Sequence, residues 1–439
     1  MINKRREFLK LSGLTGISLA GMGMLPGFAA GSTIQSRNDN YFSNSGSTSG
    51  GEKRNINDKN LSIIGLYGEW AAGLRNNELP AFSFRRNEWP NLNEWQIAAR
   101  KRLRDRLSIP DIGSEIPLVN IEKQYSYDGL HIEELSWQLP YGRPTQAVLL
   151  QPVEQKGPLP AILAFHDHGG NKYFGSRKIT RTGEHLHPLM EAHQREYYEN
   201  LAWANEIAKR GYVVLVPDAF PFASRRVMLQ DVPAFMRQGL SDKEPETAEN
   251  IKAYNDWAGQ HEHIMAKSLF SAGTTWPGVF LAEDLKALDI LCARKDVDAS
   301  RIGCGGLSGG GMRTVFMAGL DPRIKCAVCV GFMTTWKDFI INKSFTHTWM
   351  TFVPLLPDEL DFPEILGLRA PLPALVLNDQ NDGLYTLEEM RRADQILGEV
   401  YKKAGAMNQY RCSFYPGPHK FDKKMQSEAF DWFDKWLKA

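Results

Sequence analysis

The sequence predicts an α/β architecture, a mostly parallel sheet covered on both faces by helices, and three observations predict it. From about residue 121 onward, short apolar segments alternate with longer helical ones. The short segments are runs of Val, Ile and Leu, as expected for strands buried on both faces. One of them runs into a glycine-rich turn, "RIGCGGLSGGGMRT" (301–314), with helical sequence on its far side. The expected form is a sheet of about eight strands with loop and helical insertions forming a cap.

The elements follow in order. "TQAVLLQP" and "AILAFHD" read as strands, "YYENLAWANEIAKRG" as a helix ending at Gly211, and "YVVLVPD" as the next strand. The helix "VFLAEDLKALDILCAR" precedes the glycine-rich turn. After it come the strands "IKCAVCVGF" and "PALVLND", the helix "LEEMRRADQILGEVYKKAG", the strand "QYRCSFYPG" and the closing helix "SEAFDWFDKWLKA". A hairpin-like segment near 121–151 supplies antiparallel strands at one edge.

A chain of 439 residues allows one large decorated domain or two, and 43% hydrophobic content is enough for a substantial core. The formal charge of +1 creates no bulk field toward nucleic acid or acidic polymers. The basic stretch Arg100 to Arg106 reads as a solvated helix face. Five cysteines in so long a chain do not make a disulfide framework. Cys326 and Cys329, three apart on a strand, point to opposite faces, so a redox or zinc pair is not expected.

The first thirty residues read as an export signal: "NKRREFLK", a mildly apolar Gly-rich middle, then small residues. Arg5–Arg6 followed by Phe8, Leu9 and Lys10 resembles the twin-arginine signal, with Lys4 in place of the usual Ser or Thr. Cleavage is expected after Ala29 or Ala30, and with no cysteine there a lipoprotein is not expected. The rival is a retained anchor, but the apolar run is short for a span of roughly 20 residues. The expected partner is the twin-arginine export machinery, and the expected location periplasmic or secreted. Residues 31–60 read as a flexible low-complexity leader, 61–120 as an N-terminal helical extension, and 121–439 as one α/β domain with insertions.

The glycine-rich turn carries the chemistry. It lacks the Gly-Lys-Ser/Thr end of a phosphate-binding loop, and it fails the dinucleotide pattern because the sixth residue from Gly303 is Ser308. What fits is G-x-S-x-G over 306–310, between a strand and a helix. There a serine can occupy a sharp turn with its hydroxyl exposed. Ser308 is thus the candidate nucleophile, and the Gly309 N–H, at a helix N-terminus, a candidate oxyanion donor. A nucleophile needs a base oriented by an acid. Asp382 follows the strand "PALVLND", with Asp379 the alternative and Asp338 a weaker one. His419 follows the last strand in "SFYPGPHKF". The strand "AILAF" runs into His166-Asp167-His168-Gly169-Gly170. By position His168 supplies the second oxyanion N–H, Gly169 is its rival, and His166 braces the loop.

These residues resemble those of α/β-hydrolases of the dienelactone hydrolase and acetyl xylan esterase type, most narrowly the exported esterases grouped as abhydrolase family 7. The stretches that carry the resemblance are "FHDHGGNKYFG", "GYVVLVPDAF", "WPGVFLAEDLKALDILCARKDVDASRIGCGGLSGGGMRT", "GLDPRIKCAVCVGFMTTW" and "YPGPHKF". It implies the α/β-hydrolase fold and a Ser308–Asp382–His419 triad, with the acid before the histidine. Asp167 departs from the usual Gly of the oxyanion loop. The chain also lacks the Gly-Cys-Ser-Arg elbow of glucuronoyl esterases and the Gln after serine of the cephalosporin-deacetylase-like group.

Insertions 171–195, 219–275 and 332–370 leave carboxyl ends of strands and should wall the site. Trp276, Trp336 and Trp349 lie in or beside them as candidate sugar-stacking platforms. The histidines of the insertions (185, 187, 193, 261 and 263) match no metal motif, so neither metal nor other cofactor is expected. The expected function is an exported carboxylesterase that removes acetyl or other small acyl groups from a carbohydrate. The alternatives are an amidase or peptidase of the same fold, or a non-catalytic carbohydrate-binding protein that kept it.

Overall fold

The structure, a computed structural model, describes residues 62–74, 79–154, 157–243 and 245–438. The expected export signal and leader lie outside the described residues. Asn60–Ala439 cluster as one compact unit.

Its strands are β1 (Val119–Tyr127), β2 (Leu130–Trp137), β3 (Thr145–Pro152), β4 (Leu159–Phe165), β5 (Val213–Pro217), β6 (Val297–Leu307), β7 (Ile324–Val330), β8 (Ala374–Asp379) and β9 (Tyr410–Tyr415). Its helices are α1 (Tyr67–Gly73), α2 (Leu92–Leu107), α3 (Pro188–Tyr198), α4 (Trp203–Lys209), α5 (Ala248–Ser271), α6 (Trp276–Ala293), α7 (Gly309–Leu320), α8 (Trp336–Asp338), α9 (Phe362–Gly367), α10 (Leu387–Lys403) and α11 (Lys423–Leu437). Among the described residues the sheet has nine strands in the order β1-β2-β3-β5-β4-β6-β7-β8-β9, against the expected eight or so. β1, β2 and β3 are antiparallel at one edge, and the strands from β5 through β9 run parallel.

Each central strand feeds two cores. Along β7, Cys326, Val328 and Val330 face the cluster built with α4 and α11, while Ala327 and Cys329 face the one built with α6, α7 and α10. Period-two alternation puts the two cysteines on opposite faces. A third, smaller apolar cluster joins the segments after β4 and β5 through Tyr173, Phe174, Met190, Ile251, Tyr254 and Trp257.

Two expectations need correction. "YYENLAWANEIAKRG" is not one helix: α3 ends at Tyr198, Glu199 and Asn200 take positive φ of 53° and 65°, and α4 starts afresh at Trp203. Contacts from elsewhere in the chain hold the break, because Gln426 Nε2 donates to the Tyr198 carbonyl and Tyr198 Oη to Asp167. Arg100 to Arg106 is not a purely solvated face either. Arg100 donates to the carbonyls of Gly319 and Leu368, at the ends of α7 and α9, and Arg106 pairs with Glu359. Helix ends offer unpaired carbonyls and a partial negative charge, so a guanidinium docks there.

Candidate active site

Ser308, His168, Asp382 and His419 all follow carboxyl ends of parallel strands: β6, β4, β8 and β9 respectively. β4 and β6 are neighbours although β5 comes between them in sequence, which makes their ends a topological switch point where open α/β sheets bind ligands.

Ser308 stands between β6 and α7 with φ 58° and ψ −116°, a region non-glycine residues rarely occupy. Its N–H donates to the Val330 carbonyl at 2.8 Å. The sharpness of the turn depends on missing side chains. A Cβ on Gly306 or Gly310 would stand 2.3 or 2.4 Å from the Phe165 carbonyl oxygen, so only glycine lets α7 start this close to β4. Behind the turn, Arg313 of α7 forms a buried two-point ion pair with Asp284 of α6, at 3.0 and 2.5 Å. That pair holds α7 against α6.

His419 Nδ1 lies 2.6 Å from Asp382 Oδ2. A carboxylate only accepts, so Nδ1 carries the proton and Nε2 keeps its lone pair. Asp382 is itself held by the Leu384 N–H, 2.9 Å from Oδ1. Burial pushes the His419 imidazolium to lower pKa, but Asp382, Asp379 and Asp167 together outweigh it and raise the pKa above the ordinary histidine value. The ring sits against Gly331, where a Cβ would stand 2.8 Å from His419 Cε1. Gly331 follows Val330, the residue that holds the Ser308 N–H, so histidine and elbow meet at the end of β7.

The alternative acids are engaged elsewhere. Asp379 Oδ2 accepts from the Lys420 N–H at 3.0 Å, and its Oδ1 is buried without a partner. Burial, with Asp382 adding to it, raises its pKa to about 7. Asp338 accepts from Thr334 and from the Thr386 N–H and hydroxyl, which ties α8 to the start of α10.

The loop after β4 brings the His168 N–H to the elbow: a Cβ on Gly309 would stand 3.1 Å from His168 N. Among the described residues, neither the His168 nor the Gly309 N–H donates to a protein acceptor. His166 is buried against the end of β5, its Nε2 accepting from the Ala219 N–H at 3.2 Å. Asp167 accepts from His193 Nε2 at 3.1 Å and Tyr198 Oη at 2.5 Å, which, with Lys178, hold its carboxyl far below the usual range against the opposing effect of burial. The His168 ring accepts at Nδ1 from the Gly170 N–H and reaches Glu262 Oε1 through Nε2 at 3.0 Å. Glu262 of α5 also pairs with Lys172 at 2.5 Å, and its other oxygen accepts from the Thr348 hydroxyl and the Trp349 N–H. One carboxylate thus links the segments after β4, β5 and β7.

The tryptophans divide. Trp276 and Trp336 are 1% and 3% exposed, so neither offers a face to a ligand, and their assignment as sugar platforms is corrected. The Trp336 ring packs at a tilt on Phe362, centroids 3.9 Å apart, and donates to the Leu360 carbonyl, and Trp276 packs against Phe220. Trp349 is 42% exposed beside the Glu262 junction.

Sequence reasoning missed Glu262 and Lys178. Glu262 left a signal: it continues the buried stripe of Ile251, Tyr254, Ala258 and Ala266 on α5, where a charge is out of place. Lys178, in "GSRKIT", has no local pattern that marks it. Among the described residues no group of three or more His, Cys, Asp and Glu side chains is arranged to hold a metal. His187 instead caps α3, and His261 stacks on Trp257 at 4.7 Å.

Comparison with known proteins finds relatives and structures of similar fold. The Prolyl oligopeptidase family profile matches residues 271–362, the stretch holding α6, the elbow and β7. The Bacillus subtilis (strain 168) protein named "Putative hydrolase YtaP" is 27% identical over 294 residues, covering 66% of this chain and 83% of its own. A Bacteroides fragilis structure named "putative acetyl xylan esterase" superposes with TM-score 0.60 at 19% identity, covering 82% of this chain and 86% of its own. A glucuronoyl esterase from Solibacter usitatus gives 0.52 at 14%, covering 81% and 94%. With the strand order, the serine elbow after β6 and these neighbours, the chain has the α/β-hydrolase fold.

Proposed function

We propose that the chain is a serine esterase that removes acetyl or similarly small acyl groups from a carbohydrate. Ser308 attacks the ester carbonyl while His419 Nε2 takes its proton, and Asp382 steadies the imidazolium that forms. The oxyanion is met by the Gly309 and His168 N–H groups. The alcohol leaves with the proton from His419, and water then cleaves the acyl-enzyme by the same steps in reverse roles. The observation that carries this reading is the 2.6 Å His419–Asp382 pair packed at Gly331 beside the strained elbow. The raised His419 pKa implies that activity is lost as pH falls through it, because a protonated imidazole cannot act as base. Export through a twin-arginine signal is part of the proposal and rests on residues 1–30 alone.

Hydrolysis of p-nitrophenyl esters is expected to fall steeply from acetyl to butyryl to octanoyl, since the crowded elbow leaves little room beside the acyl carbon. A flat or rising series would point to a lipase-like pocket instead. The leaving alcohol then lies toward the mouth, near Trp349. Trp349→Ala should raise KM for acetylated xylan several-fold with little change for an aryl acetate. By contrast Trp336→Ala should destabilise the fold by about 3–5 kcal/mol, because it empties a buried site. Equal effects of Trp349→Ala on both substrates would assign that side chain to packing. The match to the Prolyl oligopeptidase family favours a second reading, an amidase or peptidase. Parallel assays on acetyl esters and peptide amides separate the two.

A further inference from the structure

One buried ammonium reaches the Asp167 and His168 carbonyls of the loop beside the elbow, and it shares the first with His166 Nδ1, which donates to it at 3.0 Å. Lys178 Nζ stands 2.8 Å from the Asp167 oxygen and 2.8 Å from the His168 oxygen. The side chain is 0% exposed and its ammonium lies 4.6 Å from the centre of the Phe222 ring. A lysine is rarely buried this fully, and burial of the charge is tolerated only with close partners.

The geometry of a peptide unit gives this contact a directional consequence. The unit is planar and trans, so its C=O and its N–H point in opposite directions. The carbonyl of Asp167 and the N–H of His168 belong to the same unit. Fixing the carbonyl toward Lys178 therefore fixes the N–H away from it, and His168 N lies 3.1 Å from where a Cβ on Gly309 would stand. A positive charge on the oxygen also withdraws electron density from the nitrogen and makes the N–H a stronger donor.

We infer that Lys178 is a positioning residue for the His168 oxyanion donor, sharing with His166 the direction of the Asp167–His168 peptide and polarising it with its charge. The inference rests on the serine-esterase reading and extends it to a residue with no contact to substrate. It also predicts an alkaline limit. The charged and titratable groups around Lys178 are Asp167, His166 and His168 of the same loop, Lys172, and Asp218 at the end of β5, with His193 behind Asp167. Burial and Lys172 outweigh Asp167 and Asp218 and bring the Lys178 pKa down to about 8. Below that pH the ammonium polarises the peptide. Above it the amine is neutral, still donates, and polarises less.

The test uses the full chain with p-nitrophenyl acetate and its thiono analogue, whose C=S accepts hydrogen bonds poorly. The ratio of the two rates reads the strength of the oxyanion donors. In the wild type the ratio should fall severalfold between about pH 7 and about pH 9.5. Lys178→Gln keeps N–H donors but not the charge. It should lower kcat about tenfold at pH 7, roughly one charge-assisted hydrogen bond's worth, with KM within twofold and a ratio independent of pH. A flat ratio in the active wild type would overturn the inference, whether or not the variant folds. So would a folded Lys178→Gln protein that keeps wild-type kcat and the wild-type ratio profile. If a fluorophosphonate fails to label Ser308 and the wild type does not hydrolyse the ester, the serine-esterase reading falls and the inference with it.

Discussion

Ser308→Ala is expected to lower kcat on p-nitrophenyl acetate by about 10⁶-fold, to remove the acyl-enzyme burst and to abolish fluorophosphonate labelling. What remains is the roughly 10³–10⁴-fold advantage over water supplied by binding and the oxyanion donors. The loss belongs to the chemical step. The loop after β4 takes its bonds from Lys178, His193, Tyr198 and Glu262, none of which contacts Ser308 Oγ, so KM and the melting temperature should not worsen. Unchanged turnover in this variant would end the serine-hydrolase proposal and leave a binding protein of the same fold.

Asp382→Asn is expected to lower kcat by about 10⁴-fold. Asparagine offers the histidine an N–H as readily as a carbonyl, so Nδ1 loses its obligatory acceptor and the ring can present a proton where the serine needs a lone pair. Asp379→Asn, only three residues earlier, should cost less than tenfold. With its pKa raised to about 7, Asp379 is already close to half neutral at physiological pH, and its one hydrogen bond is to the Lys420 backbone N–H rather than to the ring. An amide oxygen can accept that bond equally well. Measured kcat on a single acetyl ester decides between the two. If Asp379→Asn were the crippled variant, the acid would have to be reassigned.

β4, β5 and β8 were legible because each carries a continuous apolar run, as burial on both faces demands. The elbow was legible because glycine is forced wherever α7 approaches β4, as at Gly306 and Gly310. His419 and the acids after β8 were found through their order along the chain. Exposure could not be found that way: Trp276, Trp336 and Trp349 look alike in sequence, and only packing by distant parts of the chain buries the first two and leaves the third exposed. The break after Tyr198 was hidden for a similar reason, since Gln426 and Asp167 come from other parts of the chain. Lys178 is the extreme case. Its environment is assembled from the ends of β4 and β5, and nothing adjacent in sequence distinguishes it from a surface lysine.

A serine held at φ 58° carries about 1–3 kcal/mol of backbone strain that a glycine at the same place would largely escape. From two of the six serine codons a single base change gives glycine. A gene copy freed from any demand for hydrolysis would therefore gain stability by the same mutation that silences it, and drift would run downhill toward a fourth consecutive glycine ahead of α7. The proposed hydrolysis thus sets the chain's stability against its chemistry at a single residue.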